Sequence, residues 1–209
     1  MHKIVVIGGG GHAKVLMDIL QKSGWDVLGY TDRQDKGPLL AVPYLGDDRV
    51  LPEVLRKYPA CRAAIGVGKV ELCESRLILH KGLEAIGFEC PAVVSRDAVV
   101  NSEVKLGAAT VVFDGVVINS CAKTGRACIL NTNSTIEHDC RLGDNVHIAP
   151  GATLSGGVSI GHNCMIGTGA NIIQALHICD NCIIGAGTTV VRNISTPGVY
   201  VGNPAQRIK

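Results

Sequence analysis

The chain has 209 residues, 46% of them apolar, and a formal charge of +2 at neutral pH. This supports a sizeable core in one or two domains, and the absence of a basic run, with aromatics at only 3%, argues against nucleic acid as the partner. Met1-His2-Lys3 leads straight into a buried-strand pattern without a signal-peptide hydrophobic region, and no stretch is long enough to span a bilayer, so the expected location is cytoplasmic.

Residues 1–90 read as an α/β domain of the Rossmann-like kind. Lys3 to Ile7 predicts a buried strand, Gly8-Gly9-Gly10-Gly11-His12 a tight loop, and Ala13 to Lys22 a helix with apolar Val15, Leu16, Ile19 and Leu20. A second strand, Val27 to Thr31, ends at Asp32, about where nucleotide-binding folds place an acid on a ribose hydroxyl. Glycines let backbone approach a phosphate or sugar, and a helix start offers unpaired N–H groups to it, with His12 beside them. A third strand, Ala63 to Ile65, closes on Gly66-Val67-Gly68, and a helix is expected from about Val70 to Ile86. Gly66 would line the same crevice. The fingerprint Gly8-x-Gly10-x-x-Ala13 is common and a short α/β domain rarely has room for a whole NAD, which argues against a redox enzyme, and these glycines are also compatible with a plain tight turn.

A short linker near Pro91 should keep the second domain, residues 91–209, close to the first. Here an aliphatic residue recurs at nearly every sixth position, through Leu130, Ile136, Leu142, Ile148, Leu154 and Ile160 to Ile184, with Thr124 as the break. A period of six is the signature of a parallel β-helix with three hexads per coil. A second column of mostly small residues sits two positions earlier and should also point inward. Gly107, Gly125, Gly143, Gly161, Gly167 and Gly185 follow the aliphatic position, where a sharp turn is expected and a side chain would cost most. Cys128, Cys140, Cys164 and Cys182 fall on the small inward column, so these members of the nine cysteines read as core filling in a reducing compartment rather than as metal ligands or disulfides.

The densest departure from the repeat is Glu137-His138-Asp139. A histidine with a carboxylate on one ring nitrogen is held in one tautomer with the other nitrogen free to accept a proton, as a general base requires. Residues eighteen apart share a column, so Gly156 lies beside His138 and could present a bare N–H to an oxyanion. Pro150, Thr168 and Ala186 form another column, a groove of small residues suited to a long thin cofactor. His147, half a coil from His138, faces another side of the prism. If both serve one site, it lies between subunits, and a three-sided prism suggests a homotrimer.

With these residues in place the chain resembles the hexapeptide-repeat sugar O- and N-acyltransferases, the group of sialic acid O-acetyltransferases and bacillosamine and perosamine N-acetyltransferases. The likeness rests on Ile7-Gly8-Gly9-Gly10-Gly11-His12-Ala13-Lys14, Ala64-Ile65-Gly66, Asn131 before Ile136-Glu137-His138-Asp139, and Gly198-Val199-Tyr200-Val201-Gly202-Asn203-Pro204-Ala205. It implies a nucleotide-sugar-binding first domain, a left-handed parallel β-helix that binds acetyl-CoA, no metal, a homotrimer, and a place in glycan or lipopolysaccharide O-antigen assembly. By position it further implies that Gly10, Gly11, His12, Asp32, Gly66 and Asn131 hold the nucleotide-sugar and that His138 is the proton acceptor with Asp139 raising its basicity. His147, Gly156, Thr168 and Ala186 would contact acetyl-CoA. The expected reaction is direct transfer to the amino group of a nucleotide-linked 4-amino-4,6-dideoxy sugar. The rivals are O-acetylation of sialic or another nonulosonic acid, a non-catalytic nucleotide-sugar scaffold, and a metal site drawing on His138, His147 and His162.

Overall fold

The computed structural model describes residues 2–209. Strands β1 (Lys3–Ile7), β2 (Asp26–Thr31), β3 (Tyr44–Gly46) and β4 (Arg62–Ile65) form a parallel sheet in the order β3-β2-β1-β4. Ile4, Val5, Val6 and Ile7 are all buried, so β1 is covered on both faces, which is why it reads as an unbroken aliphatic run rather than an alternating one. Helices α1 (Gly11–Lys22), α2 (Leu51–Lys57) and α3 (Ser75–Ile86) complete the domain. None of the described helices is long and apolar enough to cross a membrane.

The sequence anticipates β1, α1, β2, β4 and α3, and misses β3 and α2, which are three and seven residues long and carry too little periodicity to register. The expected start of α3 near Val70 is also displaced. Val70 is 83% exposed, and the chain from Lys69 to Cys73 is pinned to the solenoid as a loop: Lys69 Nζ donates to Cys73 O (3.1 Å) and to Asn163 Oδ1 (2.6 Å). Tertiary hydrogen bonds overrule the apolar pattern there.

The second domain is a left-handed parallel β-helix whose three faces are ladders of strands that are mostly two residues long. Face one runs through Val111–Val112, Ile129–Leu130, His147–Ile148 and Met165–Ile166, face two through Thr135–Ile136 and Thr153–Leu154, and face three through Arg141–Leu142 and Ser159–Ile160. The register Ile129↔His147, Thr135↔Thr153 and Arg141↔Ser159 makes each coil eighteen residues. Both inward columns fill one continuous core in which Cys128, Cys140, Cys164 and Cys182 are wholly buried. Val100, at the open first coil, is the exception at 41% exposed.

One expectation is corrected. The glycines after the aliphatic position do not make the turn; the left-handed conformation falls two residues later, at Ala109, Ala127, Asn133, Asp139, Asn145 and Asn163 among others. Those glycines answer instead to the closeness of successive coils: a Cβ on Gly143 would sit 2.8 Å from the Gly161 carbonyl carbon. Two stacked turns leave no room for it.

The domains share their packing. Val93, Val111, Phe113 and Ile129 on the outside of face one join Ile4, Val6, Ala13 and Leu16 in a single apolar cluster. Fully buried Arg76 ties the halves by donating Nη1–H to Ile65 O (2.9 Å), Nε–H to Ala127 O (3.0 Å) and Nη2–H to Ala109 O (3.2 Å). Burial lowers its pKa to about 10, which still leaves it cationic at neutral pH.

Candidate active site

In the first domain, a cleft of about 650 Å³ opens at the carboxyl ends of β1 and β2, lined by Gly8, Asp32, Arg33, Asp48, Arg49 and Val67 among others. It lies beside the point where the sheet order reverses between β1 and β4, the usual ligand position in an open parallel sheet. Gly10 caps α1 and, with Gly11, has open space where a side chain would project, so this backbone is free to meet a ligand. Gly66 differs: a Cβ there would fall 2.8 Å from Ala13 Cβ and 2.8 Å from Val6 Cγ1, so it is where strand and helix pack closest. Asp32 braces the loop, accepting from Gly9 N–H (2.8 Å), Lys36 Nζ (2.9 Å) and Gln34 N–H (3.1 Å), and the bond from Lys36 holds its carboxyl below the usual range. Asp48, which the sequence did not single out, lines the cleft and accepts from buried Thr31 Oγ1 at 2.6 Å.

Two histidines meet at the seam between domains. His12, in the first turn of α1, packs its ring on Phe113 with centroids 5.0 Å apart, and its Nε2 is buried with no hydrogen-bond partner. Burial, with Arg76 and His147 nearby, pushes its pKa down to about 3, so it is a neutral imidazole. His147 is 7% exposed and donates Nδ1–H to Lys69 O (2.6 Å), which leaves Nε2 to accept from Asn131 Nδ2 (3.1 Å). Its pKa falls to about 4, chiefly through burial and partly offset by the bond to Lys69 O. With both nitrogens engaged, His147 holds Asn131 in place; the ring nitrogens themselves are not open to a ligand.

His138 stands apart, at the corner between faces two and three. The turn after Thr135–Ile136 puts Asp139 in the left-handed conformation (φ 61°), and its Oδ2 lies 2.8 Å from His138 Nδ1. Aspartate tolerates this conformation better than most residues. The pair therefore fixes an Nδ1–H tautomer and leaves Nε2 as the acceptor. The backbone stacks as the eighteen-residue column requires, with Gly157 N–H donating to His138 O (2.8 Å). Nε2 lies so close to Gly156 that a Cβ there would be 2.5 Å away, and among the described residues the Gly156 N–H has no acceptor. A proton acceptor and a free backbone donor thus sit side by side.

Pro150, Thr168 and Ala186 stack at a different corner, between faces one and two, through Gly169 N–H to Pro150 O (3.0 Å) and Gly187 N–H to Thr168 O (2.8 Å); Thr168 and Ala186 are exposed. The structure thus gathers His12, Asn131 and His147 at the domain seam, His138, Asp139 and Gly156 at one corner, and Thr168 and Ala186 at another. Among the described residues no three His, Cys, Asp or Glu side chains converge to hold a metal ion. Sequence reasoning missed Arg76 and Lys69, since a buried cation that bonds to carbonyl and amide oxygens has no charged partner at a telling spacing, and Asp48, whose partner Thr31 is seventeen residues away.

The PglD N-terminal domain family matches residues 3–72, the bacterial transferase hexapeptide family residues 121–156, and the hexapeptide repeat of succinyl-transferase residues 157–192. Among curated proteins no sequence matches. Solved structures do. A histidine-to-asparagine variant of perosamine N-acetyltransferase from Caulobacter crescentus, in complex with CoA and GDP-perosamine, is 35% identical with TM-score 0.93, covering 99% of this chain and 97% of that one. The acetyltransferase domain of PglB from Neisseria gonorrhoeae, in complex with acetyl coenzyme A, is 30% identical with TM-score 0.91, covering 99% of each chain. WeeI from Acinetobacter baumannii is 28% identical with TM-score 0.85, covering 98% of this chain and 99% of that one. On this full-length likeness, with the glycine-loop domain and the hexapeptide solenoid both present, the chain belongs to the hexapeptide-repeat sugar N-acetyltransferase family.

Proposed function

We propose that this chain transfers the acetyl group of acetyl-CoA to the amine of a nucleotide-linked 4-amino-4,6-dideoxy sugar of the perosamine or bacillosamine type. The observation that carries this reading is His138, with Nδ1 held by Asp139 at 2.8 Å and Nε2 against Gly156. As the amine lone pair attacks the thioester carbonyl and the C–N bond forms, Nε2 takes the proton, and the Gly156 N–H meets the oxyanion. Collapse breaks the C–S bond, and the thiolate of CoA recovers the proton from the imidazolium. Asp139 stabilises that transient cation.

A covalent route through Cys140 is poorly supported despite its closeness in sequence to His138. Its thiol is wholly buried, donates to Ser155 O (3.3 Å), and is pushed by burial to about 11, far from the thiolate that acyl transfer needs. In this reading Gly10, Gly11 and the Asp32-braced loop take the nucleotide-sugar in the 650 Å³ cleft, with Gly66 packed beneath. His12, with its free Nε2, and Asn131, backed by His147, face the amino sugar. Thr168 and Ala186 flank the pantetheine arm. Since His138 and His147 lie on different sides of one prism, the complete site forms between subunits of a homotrimer.

The test is thiol release from acetyl-CoA with UDP- and GDP-linked 4-amino-6-deoxy sugars and free sialic acid. Turnover on an amino sugar, with the new acetyl on nitrogen by NMR, is the expected result. Turnover on sialic acid alone would move the chain to O-acetylation, and wild-type silence across the panel would remove the support for this reading.

A further inference from the structure

The corner that carries His138 continues toward the C-terminal end of the solenoid. Gly156 stacks on it, Ala175 N–H donates to Gly156 O (2.9 Å), and the pairs Asn171↔Thr189 and Ile172↔Val190 carry the register one coil further. The column is therefore His138, Gly156, Gln174 and Arg192. The last turn is shortened, since Ile178 pairs with Ile194, so Val191, Arg192 and Asn193 alone round the corner. Arg192 is exposed at its tip.

Next to it lies a cleft of about 220 Å³ lined by Arg192, Asn193, Ser195, Thr196, Gln206 and Arg207 among others, with no carboxylate in its wall. Among the described residues the arginine ion pairs belong to Arg49, Arg56, Arg62 and Arg126, which leaves Arg192 and Arg207 without an acidic partner. Two unneutralised guanidiniums in a wall rich in hydroxyl and amide groups form a receptor for a phosphate.

Length then selects the phosphate. Three coil steps of about 4.8 Å put Arg192 about 14 Å from the level of His138. The chain of a pantetheine arm between sulfur and phosphorus reaches about as far as four extended residues, again about 14 Å. With the thioester at His138 and the arm laid along this column, facing the Thr168 and Ala186 column of a neighbouring subunit in the proposed trimer, the diphosphate arrives at Arg192. The geometry points to Arg192, with Arg207 beside it, as the residue that binds the 5′-diphosphate of CoA and so selects acetyl-CoA over shorter acyl-pantetheines.

This inference rests on acetyl-CoA being the donor, and the test separates the two. Isothermal titration without any sugar acceptor measures CoA, dephospho-CoA and pantetheine on the wild type, Arg192→Gln and Arg207→Gln. Arg192→Gln is expected to weaken CoA and dephospho-CoA alike, by about tenfold, with no change for pantetheine. Circular dichroism and melting confirm the fold, since Arg192 is exposed. Weakening of CoA but not of dephospho-CoA would place Arg192 on the 3′-phosphate and overturn the assignment. Unchanged affinities, or equal loss for pantetheine, would also overturn it. A wild type that binds none of the three would contradict the donor itself.

Discussion

The imidazole of His138 lies against Gly156 of the next coil, near enough that the smallest side chain at position 156 would enter the space of Nε2. Gly156→Ala should therefore turn the ring away from the attacking amine while leaving the solenoid folded. Displacing a catalytic group by this much costs about 10²-fold in rate, so kcat should fall by that order and the melting temperature should move little. Steady-state kinetics beside a thermal melt check both.

The proposed placement of the site between subunits makes a prediction of its own. The protein should sediment as a trimer, and two variants disabled at different corners, His138→Ala and Thr168→Trp, should each be inactive as homotrimers. Refolded together, they should recover up to about a quarter of wild-type activity, because random assembly leaves that share of interfaces with both intact residues. A fully active monomer, or mixing without recovery, contradicts the arrangement.

Half-buried His12 and buried His147 give the fold an acid sensitivity. Their folded values, about 3 and about 4, lie below the ordinary 6.5, so the unfolded chain binds more protons between these limits. The stability they contribute is complete above about pH 6.5, is lost as pH falls, and levels off below the folded values. The His147 share is on the order of 3 kcal/mol. His147→Gln keeps a donor for Lys69 O and an acceptor for Asn131, so its unfolding free energy should fall less steeply between pH 6.5 and 4 than that of the wild type. Urea melts across this range measure the slopes.

Arg76 donates to carbonyls of both domains from a fully buried position. Arg76→Met should leave those acceptors unpaired and cost about 3 kcal/mol or more. A single melting transition should split in two, the first domain loosening before the solenoid. An unsplit transition at the wild-type temperature would show that the apolar seam alone holds the domains.

The solenoid was the most legible part of the chain because each coil repeats one local rule, and eighteen-residue arithmetic correctly put Gly156 beside His138 and Thr168 above Pro150. The turn is misplaced by two residues: the glycines after the aliphatic column are expected at the sharp turn, whereas Asp139 and Asn145 take the left-handed conformation, and the expected cost of a side chain at those glycines comes from crowding between coils. The first domain was less legible where non-local contacts decide, as in the loop that Lys69 anchors to Asn163, ninety-four residues away. His147 shows the same limit, since its ring bonds to Lys69 O and Asn131 could not be read from either stretch of sequence.

The central claim, direct transfer with His138 as the base, is tested most directly by comparing His138→Ala with Cys140→Ala in acetyl-CoA thiol release on the amino sugar that the wild type accepts. Loss of a general base costs about 10²- to 10⁴-fold, and that is the expected fall in kcat for His138→Ala, while Cys140→Ala keeps most of the turnover. Equal loss in both variants, or a His138→Ala enzyme as fast as the wild type, would contradict it.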